Sequence, residues 1–152
     1  MTDLWHFSED PTIEVFVPRR GELHALDEEL VWAVDSGRAW VYWFPRDCPR
    51  VCWWQGESRF AAIESAWLER MRSTQLYAYR LPPETFEAWD KFFISREAVV
   101  PLEVVDVGDL LDRHASAGNE FRTVPSLFPL FDTVRETADD FSGIRLRNAV
   151  RA

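Results

Sequence analysis

Leu30 to Val34, with the sequence LVWAV, is a continuous run of five apolar residues, and Asp35-Ser36-Gly37 follows it. The run is too short for a typical helix and ends in residues that favour turns, so it predicts a buried β-strand. Upstream, Leu4 to Ser8 is another short apolar-rich run, and Glu9-Asp10-Pro11 stops it. This second run predicts a first strand that ends in a turn.

The rest of the chain carries patterns for further strands and helices. Strands are also predicted at Ile13–Val17 (or a short extended turn), Arg50–Trp54, Leu76–Leu81, Val99–Val107 and Glu120–Val124. Pro101 confines its strand to a sheet edge, or to a bulge near its start. Helices are predicted at Ala61–Arg72, at Glu84–Lys91, from Asp109 through His114, and after an N-cap at Ser126. The sequence does not decide which type of element Arg38–Phe44 and Ile144–Val150 form.

About six or seven strands and three or four helices do not alternate as the β-α units of a doubly wound sheet do. We therefore predict an α+β fold with one mixed, mostly antiparallel sheet. No repeat and no Gly/Ser linker divides the 152 residues. The length is that of one ordinary domain, so a single domain over residues 1–152 is expected.

The charge of the chain disfavours one class of partner. Its formal net charge is −9, so an average phosphate backbone is repelled and general nucleic-acid binding is not expected. Positive charge comes from 16 Arg and the single Lys91. Codon bias in a GC-rich genome explains this imbalance, and planar binding of phosphate or carboxylate is the functional alternative.

Hydropathy and cysteine content indicate a cytoplasmic protein. No stretch approaches 18 apolar residues, so no membrane span is expected. The segment MTDLWHFSED lacks a basic region followed by an apolar run, so no secretory signal is expected either. Two cysteines, Cys48 and Cys52, form no disulfide framework and are expected to be buried and free.

Metal and nucleophile motifs are weak in this sequence. The soft metal ligands are Cys48, Cys52, His6, His24 and His114, but the cysteine spacing does not resemble a zinc knuckle. No metal is therefore expected, and a metal-dependent hydrolase is the last of the hypotheses. The 6 glycines form no phosphate-cradling loop, and no Gly-x-Ser-x-Gly elbow is present.

Two loops place arginine beside proline. They are Val17-Pro18-Arg19-Arg20 and the segment from Phe44 to Arg50, which contains Pro45-Arg46. Proline stiffens a loop, so a guanidinium group there is held with little loss of entropy. Converging loops of this kind would suit a pyrophosphate or a carboxylate. Alternatively, the acidic residues of the chain pair with these arginines at the surface.

His6 lies in the middle of the first predicted strand. Strand periodicity places His6 and Ser8 on one face, and Trp5 and Phe7 on the other. A core histidine with satisfied hydrogen bonds is one interpretation of this position. The functional interpretation is that His6 and Ser8 bind a ligand in a cleft with aromatic walls.

Most of the chain resembles a family of small bacterial proteins of unknown function, in the segments LWHFSEDPTIEVFVPR, VWAVD, YWFPRDCPRV, AWLERMR, LYAYRLP, VPSLFPLFD and FSGIRLRNA. This resemblance implies no activity. The order of elements is similar, more distantly, to compact ADP-ribosyltransferase-like domains of the rifampicin-modifying and RNA 2′-phosphotransferase types. Those domains begin with an aromatic-His pair, here Trp5-His6, and continue into an I-x-x-x-x-P segment, here Ile13 to Pro18.

The second resemblance implies NAD as the ligand and His6 as the residue that binds the nicotinamide ribose. The acidic residue of those domains falls at Glu97 by position, with Glu120 as second choice, and it would orient an acceptor hydroxyl as nicotinamide leaves. The implied ligand-binding set adds Ser8 on the ribose, Trp32 or Tyr42 stacked on the base, and Arg19 or Arg46 at the pyrophosphate.

An interaction module without catalysis is the alternative from a different class. The chain contains 11 Phe, 8 Trp and 3 Tyr. Aromatic residues and arginine are enriched in the binding hot spots of protein interfaces. Exposed Trp, Phe and Arg would then form a flat patch, and the oligomeric state stays open.

Overall fold

The computed structural model describes residues 3–21 and 27–150. These residues form eleven strands: β1 (Leu4–Ser8), β2 (Arg19–Arg20), β3 (Glu29–Asp35), β4 (Arg50–Gln55), β5 (Ser58–Glu64), β6 (Tyr77–Leu81), β7 (Glu87–Trp89), β8 (Phe92–Ser95), β9 (Glu103–Asp106), β10 (Glu120–Val124) and β11 (Asp140–Ile144). They also form three α-helices, α1 (Leu68–Ser73), α2 (Leu110–Ser116) and α3 (Leu127–Thr137). Short 3-10 helices lie at Ala39–Tyr42, Ser65–Trp67 and Leu146–Asn148. None of the helices in the described part of the chain has the length and apolar character needed to cross a bilayer.

The chain divides into two compact units. The first unit comprises the described residues of Met1–Tyr42 together with Tyr77–Asp106. The second unit comprises Trp43–Leu76 and the described residues of Val107–Ala152. Each unit has its own sheet, of seven strands in the first and four in the second. The expectation of one domain over residues 1–152 stays a prediction.

The sheet of the first unit has the strand order β7-β8-β3-β1-β6-β9, and β2 pairs with β3. All of its pairs are antiparallel. One face carries the hydrophobic core, where Phe16 and Val99 cover the sheet. Side chains of three strands and two covering segments form this core: Leu4, Phe16, Val31, Ala33, Tyr79, Leu81 and Val99.

The sheet of the second unit has the strand order β10-β5-β4-β11. β10 pairs with β5 in parallel, whereas the β4–β5 and β4–β11 pairs are antiparallel. α3 packs on one face of this sheet, and its residues Leu127 and Val134 join Val51, Trp53 and Ala62 in the core. Pairing over both sheets is thus mostly antiparallel, and the predicted α+β class is confirmed.

Several predicted elements are confirmed closely. β1 and β10 have the predicted bounds, and β3 extends the LVWAV run by one residue at each end. Asp109 is the N-cap of α2, because its carboxylate accepts the backbone N–H of Asp112 at 2.9 Å. Local pattern and capping chemistry agree with the tertiary structure at these places.

The predicted helix over Ala61–Arg72 is wrong in its first half. Residues up to Glu64 belong to β5, and α1 begins only at Leu68. Ala61, Ala62 and Ile63 are all fully buried, because β5 lies between β4 and β10 with both faces covered. A strand buried on both faces has no polar face, so its apolar run resembles part of a helix.

The predicted helix over Glu84–Lys91 is also wrong. β7 and β8 form a hairpin there, with Trp89 opposite Phe92 and a two-residue turn of Asp90 and Lys91. Asp90 adopts a left-handed conformation with φ of 52°. Aspartate tolerates this conformation, but the dipeptide lacks the glycine that usually indicates such a turn.

Two further strand patterns gave shorter elements than predicted, whereas β4 extends the predicted Arg50–Trp54 by one residue. Within Ile13–Val17, Phe16 makes an isolated antiparallel bridge to Val99. β9 occupies only part of Val99–Val107 and begins two residues after Pro101. It is the last strand in its sheet, and a sheet edge is where a strand next to proline is expected. Of the two open segments, Arg38–Phe44 contains a 3-10 helix.

Candidate functional site

The imidazole of His6 is held in one orientation. His6 lies half-buried on β1 opposite Tyr79, and its Nδ1 is 2.8 Å from the backbone carbonyl of Trp32. A carbonyl oxygen only accepts, so Nδ1 carries the proton. In this tautomer Nε2 is a hydrogen-bond acceptor. The ring of Phe16 packs against the imidazole, with 4.7 Å between the ring centroids.

The described pairing of β1 with β3 ends just before His6. β1 pairs with β6 over its whole length, but with β3 the described register contains only Leu4–Asp35 and Trp5–Val34. The hydrogen bond from His6 to the Trp32 carbonyl lies just beyond the last of these pairs. We call this place, formed by His6, Phe7 and Ser8 of β1 and Trp32 of β3, the fork.

Ser8 lies on the same face of β1 as His6, as predicted. It is paired with Tyr77, two residues before the Tyr79 that faces His6. The Ser8 hydroxyl oxygen accepts the backbone N–H of Asp10 at 3.1 Å and retains its own proton for a further bond. The Asp10 carboxylate accepts the Thr12 hydroxyl at 2.6 Å and the Thr12 backbone N–H at 2.8 Å. These bonds lower the pKa of Asp10 and stabilise the turn after β1.

The rings of Trp32 and Tyr42 lie on the opposite face of the sheet from His6. Trp32 alternates with core residues of β3 and makes edge contacts with Trp89 and Phe92, at centroid distances of 5.7 and 5.5 Å. Tyr42 lies parallel to Phe7, at 6.5 Å and an interplanar angle of 6°. Phe7 faces away from His6 by strand alternation. His6 and Ser8 are thus polar side chains on the face that carries the core, and we call their side of the fork the polar face. The opposite side carries Phe7 and Trp32, and we call it the aromatic face.

Glu97 is exposed, and it lies two residues before Val99, which bonds to the Phe16 that packs on His6. Its backbone N–H donates to the Ser95 hydroxyl at 3.2 Å, and its carbonyl accepts that hydroxyl at 3.1 Å. Two residues later, Val99 exchanges backbone hydrogen bonds of 2.8 and 2.9 Å with Phe16. Because Phe16 packs on His6, the structure brings the Glu97 segment to the face of the sheet that carries the imidazole.

The predicted arginines belong to different units. Arg19 is exposed on β2 of the first unit, opposite Leu30. Arg46 is exposed in the second unit, as is Glu120 at the start of β10. Among the predicted residues, the first unit therefore holds His6, Ser8, Arg19, Trp32, Tyr42 and Glu97.

Residues 5–149 match the model of a family of unknown function, DUF6886. The chain belongs to this family. Comparisons with curated proteins and with solved structures gave no match. The DUF6886 match runs through both units and includes every candidate residue from His6 to Glu120.

Buried polar side chains of the second unit are engaged in structural hydrogen bonds. His114 Nε2 donates to the Trp43 carbonyl at 3.0 Å, and His114 Nδ1 accepts the Asn119 amide at 2.9 Å. Burial is the main cause that lowers the pKa of His114 to about 4. The hydrogen bond to Trp43 acts in the opposite direction, and the positive charges of Arg50 and Arg59 act in the same direction as burial. His114 is therefore a neutral core histidine at physiological pH.

The two cysteines are buried and free, as predicted. Burial raises the pKa of Cys48 to about 12, so its thiol is protonated and a poor nucleophile. Among residues 3–21 and 27–150, no group of three or more His, Cys, Asp or Glu side chains is arranged to hold a metal ion. His24, another candidate ligand, lies outside the described residues.

The aromatic side chains that the interaction-module alternative invokes are all partly or fully covered. All 11 Phe, 8 Trp and 3 Tyr lie in the described ranges, and each is buried or half-buried.

The sequence did not indicate the roles of Phe16 and Tyr79 near His6. The Tyr79 hydroxyl donates to the Asp10 carbonyl at 2.5 Å and accepts the Ile13 N–H at 3.1 Å. The alternation in LYAYRL placed Tyr79 on the same face of its strand as Tyr77 and Leu81. No local pattern indicated the hydrogen-bond partners of its hydroxyl group.

Proposed function

We propose that the protein binds a nucleotide of the NAD type in its first unit, at the fork. The observation that carries the proposal is the bond between His6 Nδ1 and the Trp32 carbonyl, at 2.8 Å. It holds a half-buried imidazole in the tautomer whose Nε2 is an acceptor, the role that a ribose hydroxyl needs. This role agrees with the aromatic-His pair of ADP-ribosyltransferase-like domains.

The polar face of the fork supports the recognition of a ribose and a pyrophosphate. Ser8 shares the face of His6 and has a hydroxyl proton to donate, so the two side chains together match the donor and acceptor pattern of a ribose diol. Arg19 is exposed in the same unit, and a guanidinium group binds phosphate oxygens in a bidentate way. Local positive charge there offsets the net charge of −9.

The aromatic face of the fork supports stacking of a base. The parallel pair of Phe7 and Tyr42 and the ring of Trp32 are half-buried and lie on this face. Stacking of a base on an aromatic ring contributes about 1–3 kcal/mol. Because the described pairing of β1 with β3 ends at Trp5, we propose that a ligand bound at this place reaches side chains of both faces. The proposed ligand therefore has its ribose at His6 and its base at the aromatic rings.

A transfer reaction is the chemistry that we propose for Glu97. As the bond from the ribose C1′ to nicotinamide breaks, nicotinamide leaves with the bonding electron pair. An acceptor hydroxyl then forms a bond to C1′, and the Glu97 carboxylate takes the hydroxyl proton. Glu97 is exposed, which allows an acceptor molecule to reach it.

Isothermal titration of the full chain with NAD and with ADP-ribose tests the binding. His6→Asn keeps an N–H donor for the Trp32 carbonyl but lacks the Nε2 acceptor. We expect this variant to keep the Tm of the wild type and to lose about tenfold or more in affinity. No heat with either ligand at millimolar concentration, or equal affinity of His6→Asn and wild type, would contradict the proposal.

Arg19 has a matched control beside it. Arg20 is exposed on the same two-residue strand and pairs with Asp27. We expect Arg19→Ala to weaken binding of both ligands, and Arg20→Ala to leave it unchanged. A nicotinamide-release assay then separates binding from chemistry. Glu97→Gln should still bind NAD but release no nicotinamide, and release at the wild-type rate would exclude the role of Glu97.

A further inference from the structure

Exposed aliphatic side chains are concentrated in the first unit. Of the residues that the structure describes, seven large hydrophobic side chains are exposed, and Val150 is the one in the second unit. The other six are 45% to 65% exposed: Val15, Val17, Val100, Leu102, Val104 and Val105. We call these six residues the aliphatic edge. Single exposed apolar residues are common, but a cluster of them indicates an interaction surface.

The residues of the aliphatic edge lie on neighbouring segments. Phe16 and Val99 form an antiparallel bridge with both side chains in the core, so the next residues along, Val15 and Val100, face each other on the outer side. The chain then continues into β9, where Val104 lies opposite Tyr79 and Val105 opposite Ala78. The aliphatic edge thus runs from the covering segment to the end of the sheet.

β9 offers a backbone edge beside these side chains. It is the last strand in the order of its sheet, paired with β6 on one side and with no strand of the described ranges on the other. All four of its residues are exposed. Proteins commonly protect such an edge with a charged side chain. Here the charge of Glu103 is directed back over the sheet, where its carboxylate accepts Arg80 Nε at 2.7 Å.

The charges around β9 select the kind of partner. A second copy paired antiparallel about the centre of β9 would place Glu103 opposite Asp106 of that copy, and like charges directly opposite destabilise a strand pair. Exposed Glu14 adds a third carboxylate beside Val15, and the net charge of −9 opposes self-association further. A basic strand meets none of this repulsion.

We propose that β9 is a docking strand for an extended segment of a partner protein in which apolar and basic residues alternate. The segment adds to the sheet as a further strand through main-chain hydrogen bonds. Its apolar side chains lie on the face of the sheet that carries Val104, and its basic side chains lie on the opposite face, which carries Glu103. This surface does not include His6, Ser8 or Trp32, so the proposal stands apart from that of nucleotide binding.

A fluorescent synthetic peptide of about eight residues, with alternating valine and lysine, is the probe. We expect its anisotropy to rise with the full chain at low salt. Val104→Lys should weaken binding by about tenfold or more, because it removes an apolar contact and adds a like charge. Val150→Lys, the same change at an exposed valine of the second unit, should bind as the wild type does.

Two control peptides test the mode of binding. A peptide with glutamate in place of lysine should not bind. N-methylation of every second residue removes the N–H donors along one side of the peptide strand. Of the two peptides that can be made in this way, the one that lacks the donors facing β9 should not bind. Absence of binding at millimolar peptide, wild-type affinity of Val104→Lys, or binding that neither control peptide changes would overturn the proposal. A dimer of the chain in solution that Val104→Lys converts to a monomer would identify a second copy as the occupant, and would overturn it too.

Discussion

The carboxylate of Glu64, at the end of β5, accepts the backbone N–H of Leu127, the first residue of α3, at 3.0 Å. It also accepts the backbone N–H of Val150, at 2.9 Å. Glu64 is almost fully buried, so one side chain caps the helix and holds the segment after β11. Ser126, the predicted cap, lies at the N-cap position, but its hydroxyl donates to the Val150 carbonyl instead.

Glu64→Ala is therefore expected to destabilise the protein strongly. The change leaves one buried and one partly buried N–H group without their acceptor, which costs about 2–4 kcal/mol of unfolding free energy. Urea denaturation followed by tryptophan fluorescence measures the difference. Glu69→Ala is the matched control, because Glu69 is an exposed carboxylate on α1 that pairs with Arg72 at 3.2 Å. Its free energy of unfolding should stay close to that of the wild type. Equal midpoints for the two variants would show that Glu64 has no such role.

Gly143→Ala is expected to destabilise by overpacking. A Cβ at Gly143 would lie 2.6 Å from Phe131 and 2.9 Å from Leu146, so one of these side chains must move. The expected loss is about 1–3 kcal/mol of unfolding free energy. At Gly37 the nearest contact of a new Cβ is an ordinary 3.5 Å to Asp35, so Gly37→Ala should cost little. If thermal unfolding gives both variants the same Tm, the close packing of β11 on α3 is disproved.

The stability of the protein should fall between pH 6.5 and pH 4 in part because of His114. The folded-state pKa of about 4 lies below the ordinary histidine pKa of 6.5, so the unfolded state binds the proton first as pH falls. The stabilisation is fully present above pH 6.5 and is lost towards pH 4, with a total on the order of 3 kcal/mol. Denaturation midpoints measured across this range give the slope.

His114→Gln is the control for this pH dependence. Glutamine keeps an N–H donor for the Trp43 carbonyl but does not titrate. Between pH 6.5 and pH 4, the unfolding free energy of the variant should therefore depend less steeply on pH than that of the wild type. The difference in slope should reach up to about 1.4 kcal/mol per pH unit, which corresponds to one proton. Parallel curves for the variant and the wild type would assign the acid sensitivity to other groups.

Cys48 should react slowly with thiol reagents in the folded protein. With a pKa of about 12, only roughly 10⁻⁴ of the thiol is ionised at pH 8, and the side chain is fully buried. Disulfide-exchange labelling should detect both cysteines only in denaturant. Ser73→Cys, exposed on α1, supplies a third thiol that should react at once in the native state. Rapid native labelling of the wild type would contradict the burial of both thiols.

The candidate site was only partly predictable. Strand alternation placed His6 and Ser8 on one face of β1, because that alternation is a property of consecutive residues. The same rule put Phe7 on the other face, but not the parallel ring of Tyr42. No pattern near His6 indicated Trp32 as its partner, since that bond joins residues 26 positions apart.

Capping shows the same limit. Asp109 caps α2 through a residue three positions away, and the sequence alone predicted it. Glu64 caps α3 across 63 positions, and the pattern around Ser126 pointed to the wrong side chain. A local motif predicts a bond only when both partners lie within it.

The sequence by itself determined the α+β class, the bounds of β1 and β10, the start of α2 and the shared facing of His6 and Ser8. Each of these depends on neighbours within a few residues. Only the tertiary structure decided that β5 is a strand covered on both faces, that the arginines of the two proline loops belong to different units, and that β9 ends its sheet. Those features depend on which distant strands pair, and residues far apart in the chain carry no local pattern that records their pairing.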